Sequence, residues 1–236
     1  MIPLRDDNPT TVTPVVTVGI IAACTLAFLW QVTLSPQAQA EITYALGVIP
    51  VVLLGGERLP SEIELVPPWF TIVTSMFLHG GWLHLIGNML YMWIFADNIE
   101  NALGHVLFVV FYVVCGAAAA LTQSALDVNS AVPMIGASGA IAGVLGAYLV
   151  LFPRAHVLVL LPLGFFTQLI RLPALLVLGF WFVLQFLQGN LAGPTDGGGV
   201  AYWAHIGGFV AGVVLIFLVP RRPPDGWRHP GRGPWG

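Results

Sequence analysis

Charge is scarce in this 236-residue chain: only 8% of its residues are Asp, Glu, Lys or Arg, and all eight basic ones are arginine. An ordinary soluble domain carries about 25%. Eight cations and eleven anions cannot cover the exterior of a water-soluble globule of this length. The formal net charge of -3 excludes the basic footprint of a nucleic-acid binder. Cysteine is rarer still, and Cys24 and Cys115 both lie inside apolar runs, which argues against a structural disulfide. The first residues, MIPLRDDNPTTVTP, lack the basic start of a secretory signal, so no cleaved signal peptide is expected. Apolar side chains dominate instead, at 57% of the chain with a mean hydropathy of +0.87. The surplus must face lipid, which makes the expected class a polytopic membrane protein.

A spanning helix needs about 20 largely apolar residues. Six segments approach that length, at 14–34, 82–99, 103–124, 136–152, 171–190 and 200–219. The chain is therefore read as all-α, with a short cytoplasmic N-terminus over 1–13, a six-span domain over 14–219 and a Pro- and Gly-rich disordered cytoplasmic tail over 220–236. The long segment 35–81 mixes Glu41, Glu57, Arg58, Glu62 and Glu64 with apolar stretches, and suits an interfacial, partly inserted loop. Residues 153–170 read as an irregular connection and 189–199 as a mobile Gly-rich loop. Short loops rich in arginine stay cytoplasmic. With the N-terminus inside, Arg5, Arg154, Arg171, Arg221, Arg222, Arg228 and Arg232 are cytoplasmic and only Arg58 is outside.

Polar side chains inside lipid cost free energy unless they are paired or face a cavity. Three clusters break the apolar pattern. FLHGGWLHLIGNML places His84 and Asn88 four residues apart on one helix face, with His79 just above. IGASGAIAGVLGAY carries Ser138 at the start of the fourth span, and AHIGGFVAG carries His205 near the outer end of the sixth. Spans two, four and six all run inward from these residues, so the reading puts them at one depth on the outer side. A serine, a histidine and further hydrogen-bond donors are the parts of an acyl-transfer site: nucleophile, base and oxyanion donors. Gly208 and Gly212 follow His205 at i+3 and i+7, and Gly139, Gly143 and Gly146 form a matching stripe on span four. Close approach of those two helices would let serine and histidine share a hydrogen bond.

Each fragment alone has a plainer reading. GASGA is a common helix-packing pattern, His205 alone could be a structural hydrogen bonder, and His84 with Asn88 could be interhelical polar glue. Three histidines, His79, His84 and His205, lack an accompanying carboxylate or thiolate, and HGGWLH lacks the glutamate of an H-E-x-x-H helix, so no metal is expected. Asp97 and Glu100 lie on one helix near its inner end, the wrong place for an aspartyl protease pair. Glu100 follows His84 by 16 residues, roughly 24 Å along a helix, too far to orient a base near the outer surface. Asp127 and Asp196 lie on outer loops without a motif tying them to His205. The expectation is a Ser-His dyad with no cofactor.

With HLIGN at 84–88, GASGA at 136–140, AHIGGFVAG at 204–212 and NIENALG at 98–104, the chain resembles the rhomboid family of intramembrane serine proteases over about residues 65–219. The resemblance implies a six-transmembrane-helix bundle with a long interfacial first loop. It makes Ser138 the nucleophile and His205 its general base, and assigns oxyanion stabilisation to His84 and Asn88 with backbone near the serine. Gly136, Gly139, Gly208 and Gly212 are supporting positions, and Glu100 looks like the family's structural glutamate. Span five and the loop at 189–199 look like a moving gate and cap. Two positions depart from the family pattern: Trp69 is followed by Phe70 instead of arginine, and Ala142 stands where an aromatic residue often packs on the histidine. A looser His205 environment, compensated by other residues, is expected. The implied partners are membrane-protein substrates with a transmembrane helix and the lipid bilayer itself. The implied location is the plasma membrane, with both termini cytoplasmic and the site open to the extracytoplasmic side. The alternative in a different class is a rhomboid-like client binder that does not cleave. A solute transporter fits less well, because the polar residues cluster on one side and do not line a route across.

Overall fold

A computed structural model describes residues 1–163, 166–191 and 199–220. The expected tail beyond 220, with Arg221, Arg222, Arg228 and Arg232, lies outside the described residues, as do Asp196 and most of the loop around it.

All six apolar segments are helical: α1 (Val15–Gln31), then α5 (Trp82–Leu103), α6 (His105–Leu126), α7 (Ser138–Leu151), α8 (Ala174–Leu191) and α9 (Tyr202–Leu218). By length and composition α6 and α8 are long and apolar enough to cross a membrane, while α1, α7 and α9 are shorter apolar helices. Large apolar side chains stay on the outside, including Leu26, Leu83, Val106 and Phe217, as expected of helices that face lipid. The interior is built on α7, whose residues 140–148 are all buried, with Phe95 and Tyr148 packed edge to face at 5.0 Å. A single residue, Gly104 at φ +79°, turns the chain from α5 into α6, a backbone conformation that favours glycine.

The segment 35–81 folds as α2 (Pro36–Leu46), α3 (Pro50–Leu53), α4 (Thr71–Thr74) and two short 3₁₀ turns. Ser35 caps α2 by accepting from the Ala38 N–H at 3.3 Å, and Pro36 opens the helix. Thr74 Oγ1 donates to the Leu46 carbonyl at 2.7 Å, and Val48 pairs with Met134, which ties this segment to the end of the molecule where α7 begins.

The chain is mostly helical but not all helical. The expected irregular connection at 153–170 is a hairpin of β2 (His156–Leu163) and β3 (Phe166–Pro173), antiparallel from His156 opposite Pro173 to Leu163 opposite Phe166. Its alternation explains it: Val157 and Val159 point inward and are fully buried, a period of two in β-branched residues. The N-terminal strand β1 (Ile2–Asp6) adds to β2, giving a three-stranded sheet of order β1-β2-β3. Because β3 runs to Pro173, α8 starts at 174, three residues later than the sequence reading placed it.

This sheet and Glu100 occupy the end of the bundle away from Ser138. The fully buried Glu100 carboxylate accepts from Val16 N–H at 2.9 Å, Thr17 N–H at 2.7 Å and the Thr17 hydroxyl at 2.6 Å, and pairs with His105 Nδ1 at 2.6 Å. Val16 and Thr17 belong to the first turn of α1, where N–H groups lack intrahelical partners and a negative charge complements the helix dipole. Glu100 thus fastens α1 to the α5–α6 turn.

Candidate active site

The seat of the site is the contact between α7 and α9. A Cβ on Gly208 would run into the Gly139 carbonyl and one on Gly212 into the Gly143 carbonyl, so the two backbones touch directly. Glycine at 208 and 212 on α9 permits that approach, as does Gly146 on α7, where a Cβ would strike the Phe209 carbonyl. It sets the first residue of α7, Ser138, against His205 in the first turn of α9. The His205 backbone is steadied from α6, where Gln123 Oε1 accepts from the Ala204 N–H at 3.2 Å.

Ser138 Oγ lies 2.8 Å from His205 Nε2, and the other ring nitrogen, Nδ1, lies 2.7 Å from Gln185 Oε1 on α8. A carbonyl oxygen can only accept, so this partner keeps the proton on Nδ1 and leaves the Nε2 lone pair for the serine hydroxyl, which donates to it. Trp181, one turn before Gln185, sets its ring 5.8 Å from the imidazole. His205 itself is only 9% exposed. The aromatic neighbour therefore comes from α8 and not from the position four after the serine, where Ala142 is fully buried in the core.

Gly136 has a φ of +123°, and its N–H donates to the Ser75 carbonyl at 2.8 Å. A Cβ there would fall 2.7 Å from His84 Nε2, so glycine is required both by the backbone and by the close ring. Gly80 N–H donates to His84 Nδ1 at 3.3 Å, which makes Nδ1 the acceptor and Nε2–H a donor aimed at the turn that leads into Ser138. Asn88, one helical turn below His84, is buried, and its Nδ2 has no hydrogen-bond partner among the described residues. His79 is held elsewhere: its N–H donates to Gln31 Oε1 at 3.1 Å and its Nδ1 faces the Phe77 carbonyl at 3.3 Å.

Ser138, His205, His84 and Asn88 line one cavity of about 830 Å³. Asp127 also lines it, but no carboxylate touches the His205 ring among the described residues. Glu100 is bound at the far end, as described above.

The Rhomboid domain profile matches residues 67–222, which contain this whole constellation. The chain belongs to the rhomboid family. A rhomboid domain is a helical, polytopic membrane fold, in keeping with the apolar helices found here. Among similar rhomboids, RHOMBOID-like protein 5 of Arabidopsis thaliana is 30% identical over 67% of this chain and 47% of its own length. Rhomboid protein 1, mitochondrial, of Saccharomyces cerevisiae is 30% identical over 77% of this chain and 54% of its own. Rhomboid protease GlpG of Haemophilus influenzae is 29% identical over 76% of this chain and 91% of its own. The chain spans about half the length of the first curated relatives it matches. Within this candidate site, Gln185 and Trp181 are the two contacts to His205 that motif reading missed. The sequence carried only half of their signal: a glutamine inside an apolar run, four residues after a tryptophan, places both on one helix face, but which helix that face meets is set by packing.

Proposed function

We propose that this protein is an intramembrane serine endopeptidase of six spans that cleaves membrane-protein substrates within or beside a transmembrane helix. The observation that carries the reading is the 2.8 Å contact between Ser138 Oγ and His205 Nε2 at the wall of an open cavity, inside a rhomboid domain.

Ser138 Oγ attacks the scissile carbonyl carbon and its proton passes to His205 Nε2. The carbonyl oxygen becomes an oxyanion, met by the free Asn88 Nδ2, by His84 Nε2–H and by the Ser138 N–H at the start of α7. As the C–N bond breaks, His205 returns the proton to the leaving amine. Water, deprotonated by His205, then attacks the acyl carbon; the C–Oγ bond breaks, His205 returns the proton to Ser138 Oγ and the carboxylate product leaves. Apart from that water, the groups these steps use are side chains and backbone of the chain.

Arginine placement supports an orientation with the N-terminus cytoplasmic. Arg5 in β1, Arg154 in the α7–β2 turn and Arg171 in β3 share the end away from Ser138. The cavity then opens on the extracytoplasmic side, and the plasma membrane is the proposed location.

The test is labelling of the purified full chain in detergent with a fluorophosphonate, read by intact mass. Wild type takes up one label, while Ser138→Ala takes up none and His205→Ala is labelled far more slowly. A folded wild type that stays unlabelled, or a Ser138→Ala variant labelled like wild type, overturns the reading and favours a non-cleaving client binder.

A further inference from the structure

His205 has two ring nitrogens and both are engaged. Nε2 faces Ser138, and what Nδ1 meets decides whether Nε2 holds a lone pair or a proton. In the familiar triad a carboxylate fills that position. Here the nearest group is the amide oxygen of Gln185, at 2.7 Å. A neutral amide accepts the Nδ1 proton without carrying a full charge into an apolar helix, where a carboxylate is costly.

The surroundings fit a dedicated partner. Gln185 is half-buried on the face of α8 that also carries Trp181 against the imidazole, and Phe182 packs on Phe209 of α9 at 4.6 Å between ring centres. The buried positions of α8 are Ala174, Val177 and Leu178, all in its first five residues. Farther along, it is the Trp181–Phe182–Gln185 face that meets α9.

We infer that Gln185 is the positioning residue of the site, a neutral substitute for the third member of a triad that fixes the tautomer and the tilt of His205. This rests on the serine-hydrolase reading above. It makes the base a product of two helices: α9 carries the ring, and α8 decides which nitrogen faces the serine. Removing the acceptor leaves the imidazole free to present an N–H to Ser138, and only the correct tautomer reacts.

The experiment is the rate of fluorophosphonate labelling of Ser138 in the detergent-purified full chain, resolved into kinact and KI. Gln185→Leu and the length-matched Gln185→Met lower kinact by about 10- to 100-fold and leave KI within about twofold, since orientation of the base and not probe binding is lost. Gln185→Glu restores an oxygen acceptor at the same reach and recovers most of kinact. A merely structural glutamine would instead lower the unfolding temperature in all three variants, and Glu would not rescue. If Gln185→Leu fails to fold, Gln185→Met with Gln185→Glu decides. A labelled wild type with unchanged kinact in Gln185→Met overturns the positioning role alone, as does a folded Gln185→Glu that labels no faster than Gln185→Met. An unlabelled wild type removes the serine-hydrolase reading and the positioning role with it.

Discussion

A buried amide donor without a partner costs free energy, about 1–3 kcal/mol. Asn88 Nδ2 is such a donor, beside the turn that leads into Ser138. Two quantities should therefore move in opposite directions. Asn88→Leu removes the unsatisfied group and should raise the thermal unfolding midpoint in detergent, or leave it unchanged. The same substitution removes one oxyanion donor and should lower kcat on a reconstituted transmembrane peptide by about 100- to 1000-fold, the cost seen for such donors in soluble serine proteases. Loss of stability and activity together would make Asn88 a packing residue. At this scale Ser138, His205, His84 and Asn88 were legible because each sits in a short motif whose helical spacing fixes its face and depth. Gln185 was not, because its significance depends on which face of α8 turns toward α9, and that is decided by tertiary packing. Trp181 was hidden for the same reason, since a tryptophan in an apolar run reads equally well as lipid-facing.

Among elements, the α7–α9 contact decides whether a site exists at all. The backbones touch where Gly208 meets the Gly139 carbonyl and Gly212 the Gly143 carbonyl, obstacles that cannot rotate aside, while a side chain on Gly139 or Gly143 would run into Ala119 or Cys115 of α6. Gly212→Ala, a change of one methyl group, should destabilise the protein by about 1–3 kcal/mol through overpacking. Gly19→Ala is the control: it lies mid-helix in α1 with nothing within 4 Å of the added carbon, and should gain about 0.5–1 kcal/mol from the lower chain entropy of alanine. Thermal midpoints of the two variants in one detergent check the contrast, and equal shifts would mean that helix propensity, and not backbone contact, governs these glycines. The glycine stripes were readable at i, i+3 and i+7, as were the six apolar segments, because lipid and helix geometry both impose strong periodic patterns. The hairpin at 156–173 escaped because its period of two rests on only two buried β-branched residues, Val157 and Val159, and because Pro153 and Pro162 read as breakers of regular structure, although Pro162 lies within β2.

Across the whole molecule, the two ends of the bundle are built differently. The Ser138 end holds the larger cavity, of about 830 Å³ against about 290 Å³ beside the sheet, while the opposite end is tied together by the Glu100 network and by the sheet that binds β1 to the hairpin. Within that closed end Asp6 accepts from the Tyr148 hydroxyl at 2.5 Å, joining the N-terminal strand to the central helix α7. Burial raises the Asp6 pKa from 3.8 to about 6, against the opposing pull of the Tyr148 hydrogen bond and with a smaller push from the Asp7 charge. The folded state therefore holds this proton more tightly than the unfolded chain does. Its contribution to stability is greatest below about pH 4, declines as pH rises toward 6, and is flat above that. Asp6→Asn keeps an oxygen acceptor for Tyr148 and removes the titration. The difference between the two proteins reports Asp6 together with its charge coupling to Asp7 and Asp97, and cancels the carboxylates that do not face it. Their thermal midpoints should nearly coincide at pH 4 and separate as pH rises to about 6, with Asp6→Asn the more stable. Because the strand lies at the end away from Ser138, the fluorophosphonate labelling rate per folded molecule should be the same in both. A wild type that gains on the variant with rising pH would mean that ionised Asp6 is the favoured partner of Tyr148, and that the sheet is held by charge and not by a shared proton.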